Sequence, residues 1–190
     1  MVHRYKKSIC SSAIKSGSLL VSSPLNPKFS NSKVLILVTQ HNETGTTGII
    51  LNQNLEGETI KKHIYGNSDP VTLQYGGPDN EDSESYLILY PSFKNGWIDS
   101  VFWSYDTMDI VTILHFISEY NIQISAYRGC IRWKAGMLEK DLEQSKWWFT
   151  NDYQIHNVMM PGNISWKYYA KQLGGYYAPL VDAELPVNFN

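Results

Sequence analysis

Val34-Leu35-Ile36-Leu37-Val38-Thr39-Gln40-His41-Asn42-Glu43-Thr44-Gly45-Thr46-Thr47-Gly48-Ile49-Ile50-Leu51-Asn52 is the stretch on which the fold turns. Its first five residues form a short, branched, continuous apolar run, the pattern of a strand covered on both faces. From His41 to Gly48 the chain carries two glycines and several small hydroxyls, which read as a loop. Ile49-Ile50-Leu51 then resumes a strand. A strand–loop–strand unit of this kind belongs at the centre of a sheet.

Working outward, residues 18 to 23 read as a first strand. After the central unit Thr59 is placed to cap a short helix presenting Ile60 and Ile64. Val71 to Tyr75, Tyr86 to Tyr90 and Val101 to Ser104 have strand composition. Thr107 and Asp109 stand before an apolar stripe of Ile110, Ile113, Leu114 and Ile117, which predicts an amphipathic helix capped by Thr107. Ile122 to Tyr127 reads as strand, Met137 to Phe149 as helix with Leu138 and Leu142 inward, and Ile155 to Val158 as a late strand. A final helix from Ser165 is expected to bury Trp166, Tyr169 and Leu173 and to end at Gly174 with positive φ. Hairpins mixed with helices, rather than strict alternation, predict an α+β fold on a mixed sheet.

The chain has 190 residues, 43% hydrophobic and 18% charged, too apolar for disorder and of a length that fits one domain. Residues 1 to 16 read as a basic, Ser-rich tail open to disorder, and 17 to 190 as the folded unit. A formal charge of -2 argues against a broad phosphate-neutralising surface, so nucleic acid is not an expected partner. Two cysteines, Cys10 and Cys130, make neither a disulfide framework nor a metal-ligand pattern. With no apolar run long enough for a membrane span, a reduced, cytoplasmic setting without membrane association is expected.

Gly17-Ser18-Leu19-Leu20-Val21, then Pro24, Pro27 and Phe29, then His41-Asn42, resemble the opening of the YqgE/AlgH family of small bacterial proteins. The likeness continues through Gly45-Thr46-Thr47-Gly48-Ile49-Ile50-Leu51-Asn52 and Gly76-Gly77-Pro78. It resumes at Gly129, Trp133, Gly136, Leu138-Glu139, Leu142 and Trp147, and closes at Trp166, Leu173 and Gly174. The resemblance implies a single domain with a bifurcated mixed sheet curled into a partial barrel and flanked by helices. It implies no biochemical activity, and at most a regulatory role by analogy with one branch. Where that family often has Cys-Glu before His-Asn, this chain has Thr39-Gln40, so thiol chemistry at that strand end is unavailable.

His41, Asn42 and Asn52 are the polar candidates for a ligand site, with Gly45 and Gly48 between them. Three polar side chains converging at one sheet edge, with Ser22, Ser23 and Thr39 as nearby hydroxyls, are the arrangement a small hydrolase or transferase would use. The competing reading is structural: His41 and Asn42 hold the turn through loop backbone. The glycine loop feeds a strand, whereas phosphate cradles feed a helix N-terminus. The acidic stretch Asp79, Glu81, Asp82 and Glu84 reads as a turn with a solvated loop. The histidines lack metal-ligand pairing, and no Walker, dinucleotide or nucleophile-elbow pattern occurs, so neither cofactor nor metal is expected. Trp133, Trp147 and Trp148 read as core anchors around a helix. These readings favour a non-enzymatic binding or regulatory protein acting through a partner protein or a small-molecule ligand.

Overall fold

The computed structural model describes residues 14–26, 33–55, 61–63, 70–91, 98–116, 123–160 and 163–182. The elements run β1 (Leu19–Ser22), β2 (Leu35–Asn42), β3 (Gly45–Ile50), β4 (Lys61–Lys62), β5 (Val71–Tyr75), β6 (Asp79–Pro91), β7 (Ile98–Ser104), α1 (Thr107–Phe116), β8 (Gln123–Lys134), α2 (Met137–Glu143), β9 (Trp147–Thr150), α3 (Ile155–Val158) and α4 (Ile164–Leu173), followed by a 3-10 segment at Gly175–Val181. The fold is α+β, as expected, in one sheet of nine strands among the described residues.

Strand β8 organises that sheet. Its first half pairs antiparallel with β6 and parallel with β5, and its second half pairs antiparallel with β3. From β3 the order continues through β2 and β1 to β9, while β5 leads to β4 and β6 to β7. The sheet is therefore mixed and branches at β8, and its strand pairings leave it open; they do not trace a curl into a partial barrel.

The branch depends on backbone approaching backbone. Gly76 N–H donates to the Arg128 carbonyl at 2.7 Å, and the Gly76 carbonyl accepts from Ile50 N–H at 2.8 Å, so this residue hands one edge of β8 from β5 to β3. Gly129 and Gly77 have φ of +76° and +146°, conformations that L side chains rarely adopt. A Cβ on Gly129 would collide with the Gly77 carbonyl oxygen, and one on Gly77 with the backbone of Cys130. Gly76 and Gly77 are thus buried in the branch, and the acidic residues after them lie on strand β6 rather than in a solvated loop.

Alternate residues of β1, β2 and β3 face two cores, which explains the unbroken apolar runs. On one face Leu37 and Ile49 pack with Trp166 and Tyr169 of α4. On the other Ile36 and Ile50 pack with Leu138 and Leu142 of α2, joined by Trp133 and Trp147, whose rings meet edge to face at 5.9 Å. A third cluster seats Ile110 and Leu114 of α1 on Tyr86 and Ile88 of β6.

Several expectations are corrected. Helix α2 stops at Glu143, because Ser145 takes a φ of +58° and the aromatic run Trp147–Thr150 instead pairs with β1; ring-bearing residues suit the pleated edge that β1 offers. Ile155–Val158 is a single helical turn, its amides at Asn157 and Val158 bonding the Gln154 carbonyl. The cap of α1 is Asp106, whose carboxylate accepts from Met108 N–H at 2.8 Å, one residue before the Thr107 expected. Gly174 has φ -67°, and the positive φ falls on Gly175. Lys61–Lys62 is strand, paired with Val71–Thr72, where a helix was expected; Thr59, Ile60 and Ile64 lie outside the described residues. Residues 1–13 of the expected tail lie outside the described residues; Ile14 is buried and Lys15 N–H donates to Ser18 Oγ at 3.0 Å.

Candidate functional site

The β2–β3 hairpin turns on two residues, Glu43 and Thr44, with Asn42 opposite Gly45. The expected loop from His41 to Gly48 is therefore mostly strand. Asn42 Oδ1 accepts from Thr44 N–H at 2.9 Å and from Thr44 Oγ1 at 2.6 Å, closing the turn as asparagine commonly does. His41 sits directly across from Thr46. Its Nδ1 lies 2.8 Å from Thr46 Oγ1, and its Nε2 3.9 Å from Glu139 Oε1 on α2. An Nε2–H tautomer aimed at Glu139 leaves Nδ1 to accept the threonine proton.

Asn52 is elsewhere. In an antiparallel hairpin with Ile36 opposite Ile50, a residue after the second strand lies beside the start of the first. Asn52 accordingly bonds the backbone there: Oδ1 accepts from Leu35 N–H and Nδ2 donates to the Lys33 carbonyl, each at 2.8 Å. The length of β2 separates it from His41, about 20 Å at strand rise. The expected convergence of His41, Asn42 and Asn52 does not occur. Gly45 and Gly48 are sites of close packing, since a Cβ would strike the Trp133 carbonyl oxygen at Gly45 and the Ile36 side chain at Gly48.

The hydroxyl–imidazole–carboxylate order of Thr46, His41 and Glu139 has the connectivity of a nucleophile, a base and an orienting group. Thr46 is only 3% exposed, however, so the hydroxyl faces the protein interior. Ser22 Oγ, another proposed hydroxyl, accepts from Val34 N–H at 2.8 Å and from Trp166 Nε1 at 3.0 Å, tying β1 to α4. Ser23 Oγ accepts from Leu25 N–H. Among the described residues no group of three or more His, Cys, Asp or Glu is placed to hold a metal ion.

Thr39, the remaining hydroxyl, belongs to a cluster that sequence reasoning missed. It stands where the β2–β3 register shifts, and its hydroxyl donates to the Thr47 carbonyl at 3.1 Å and lies 2.8 Å from Tyr105 OH. Trp103 Nε1 donates to the Thr39 carbonyl at 3.2 Å. Thr47 is opposite Arg132 of β8, and Arg132 shares its face with Cys130, two residues earlier. Burial pushes the Tyr105 hydroxyl above its usual range, opposed by the bond to Thr39 and by the Arg132 charge. Burial likewise raises the Cys130 thiol against the opposing pull of Arg132, so the thiol is held protonated and unreactive. Thr39 and Thr47 of this set stand in the motif region; Tyr105 and Arg132 are brought in by the β7–α1 connection and β8.

With this arrangement in view, the class is that of a branched α+β domain. A family model described as AlgH-like matches residues 19–178, and the chain belongs to that family. It is 24% identical over 190 residues to a UPF0301 protein of Chlorobium phaeobacteroides, covering 98% of each chain. A UPF0301 protein of Chlorobaculum tepidum is 26% identical over 180 residues, 91% of this chain and 95% of that one. Among solved structures, a protein of Corynebacterium diphtheriae aligns with TM-score 0.61 at 16% identity over 90% of this chain and 92% of that one. The solution structure of the AlgH protein from Pseudomonas aeruginosa aligns with TM-score 0.57 at 17% identity, covering 93% of this chain and 97% of that one. These likenesses establish the fold. No helix among the described residues is long and apolar enough to cross a membrane.

Proposed function

We propose that the protein acts by binding a partner protein or small ligand, in a regulatory role in the cytoplasm, rather than by turning over a substrate. The observation that carries this reading is the use already made of the hairpin's polar groups. Asn42 and Asn52 satisfy backbone, and the Thr46 hydroxyl faces inward against His41. A nucleophile must meet its substrate within hydrogen-bond reach of its base, and a hydroxyl buried beneath a hairpin does not. The sparse cysteine content supports a reducing compartment.

The alternative, a small hydrolase or transferase, rests on His41 with Thr46 and Glu139, because Asn52 lies at the far end of the strand. Titration with a metabolite library, following His41 by NMR, separates the two. Binding without turnover is expected. Turnover that disappears in a folded His41→Ala variant would overturn the proposal.

A further inference from the structure

Helix α4 has an inward and an outward face. Trp166, Tyr169 and Ala170 are buried against the core, while Ile164, Lys167, Tyr168 and Lys171, at i, i+3, i+4 and i+7, share the outward side. Ile164 is 59% exposed and Tyr168 42%. After Gly174 the 3-10 segment turns back along the helix. Val181 is buried in the same cluster as Trp166 and Tyr169, and the Asp182 carboxylate bridges Lys167 and Lys171, with oxygens 2.7 and 2.8 Å from their Nζ atoms. Asp182, the last described residue, is thus held over the outward face, on a course from the end of the helix toward its start. Ile164 lies one turn further on, about 5 Å of helix rise beyond Lys167.

We infer that the outward face of α4 is the docking site of this chain's own residues 183–190, with the side chains of Leu185 and Val187 packed on Tyr168 and Ile164. Two exposed apolar side chains are ordinary on a surface; the placement of Asp182 beside them is what singles these out. The segment Ala183-Glu184-Leu185-Pro186-Val187-Asn188-Phe189-Asn190 lies outside the described residues, and its sequence suits such a face. Pro186 favours an extended Leu185 and bars a helix. In an extended chain Leu185, Val187 and Phe189 project to one side, with Glu184, Asn188 and Asn190 on the other. Three residues beyond Asp182 span about 10 Å at strand rise, enough to set Leu185 beside Ile164. Tethering favours the same chain over a second copy, because a segment anchored a few residues from its site is present at roughly millimolar local concentration, far above that of a free copy in a dilute sample. The inference stands whether the protein binds a ligand or turns one over.

The test is NOE spectroscopy on the full chain, with a second sample of mixed labelled and unlabelled protein to detect contacts between copies. Contacts from the Leu185 and Val187 methyl groups to Ile164 and Tyr168 are expected within one chain. They should disappear in Ile164→Glu, whose residues 183–190 then move to random-coil shifts while the Trp166 indole and the β2–β3 amides keep theirs. Ile164 is exposed at the first position of α4, where a carboxylate suits the helix start, so this variant is expected to fold. Tyr168→Ser should repeat the loss from the neighbouring position. Random-coil shifts for residues 183–190 in the parent overturn the inference outright. Contacts found only in the mixed sample, which would make the occupant a second copy, overturn it too. The same holds for contacts of Leu185 and Val187 with another part of the molecule, and for contacts that persist in a folded Ile164→Glu.

Discussion

The two ends of the β2–β3 hairpin are each tied by an asparagine, and the two asparagines differ in kind. Asn42 uses one oxygen to close an exposed turn two residues away. Asn52 uses both its oxygen and its nitrogen to hold residues 17 and 19 positions earlier, at the entrance of a strand whose Leu35 is fully buried. A local tie replaces bonds that water supplies readily. A long-range tie covers backbone groups that, once orphaned, water cannot easily reach.

Asn52→Ala is the largest expected effect. It leaves the Leu35 N–H unpartnered inside the sheet and the Lys33 carbonyl without its donor, so thermal or denaturant unfolding should show a loss of about 2–3 kcal/mol. Asn52→Asp sharpens the contrast: the acceptor for Leu35 survives, but a carboxylate oxygen then faces the Lys33 carbonyl, and most of the loss should remain. A loss at position 52 no greater than at position 42 would break the comparison.

Alkaline pH gives the next effect. Burial raises the Tyr153 and Tyr169 hydroxyls to about 12, against an unfolded value near 10. The unfolded chain releases those protons first, so stability is full below about pH 10 and falls as pH rises toward 12. Tyr153 OH donates to the Gly17 carbonyl at 2.7 Å, and Gly17 N–H donates to the Val38 carbonyl at 2.7 Å, so this tie reaches the middle of β2. Melting temperature measured across pH 9 to 12 should decline, and less steeply in Tyr153→Phe. An equal slope in both proteins would exclude Tyr153 as a source.

Asn42→Ala should cost only about 0.5–1 kcal/mol, and Asn42→Asp should be nearly silent, since the turn uses the side-chain oxygen alone. The asparagine-to-aspartate pair is the sharper measurement, because the same chemical change is tolerated at one end of the hairpin and not at the other. A costly Asn42→Asp would mean that the amide nitrogen also has a role at the turn.

Much of the scaffold was legible in the residues. The apolar run Val34 to Val38 predicted a strand covered on both faces, and Ile110 with Leu114 predicted the buried stripe of α1. What periodicity cannot express is which edge a segment will meet. Trp147 to Thr150 continues the pattern of α2, yet β1 has an open edge that takes it. The candidate site was misread for a simpler reason. Asn52 follows the second strand of a hairpin, and about 3.3 Å per residue carries it away from the turn. The Thr39, Tyr105 and Arg132 cluster left no local signal, because a register shift and two separate crossings of the chain assemble it.

The smallest effect concerns the link between the hairpin and α2. His41 Nε2 and Glu139 Oε1 are 3.9 Å apart, with 17% and 27% of their side chains exposed, and pairs of this kind contribute between nothing and about 1 kcal/mol. Glu139→Gln keeps an oxygen acceptor for the Nε2–H and removes only the charge, so unfolding should move by less than about 0.5 kcal/mol. Thr46→Val is the informative partner, because it deletes a buried hydroxyl and leaves His41 Nδ1 without its neighbour. A Thr46→Val loss clearly above that of Glu139→Gln would place the hold on His41 in the threonine across the hairpin. The reverse order would place it in α2, and would make that helix, rather than the turn, the element that fixes the imidazole.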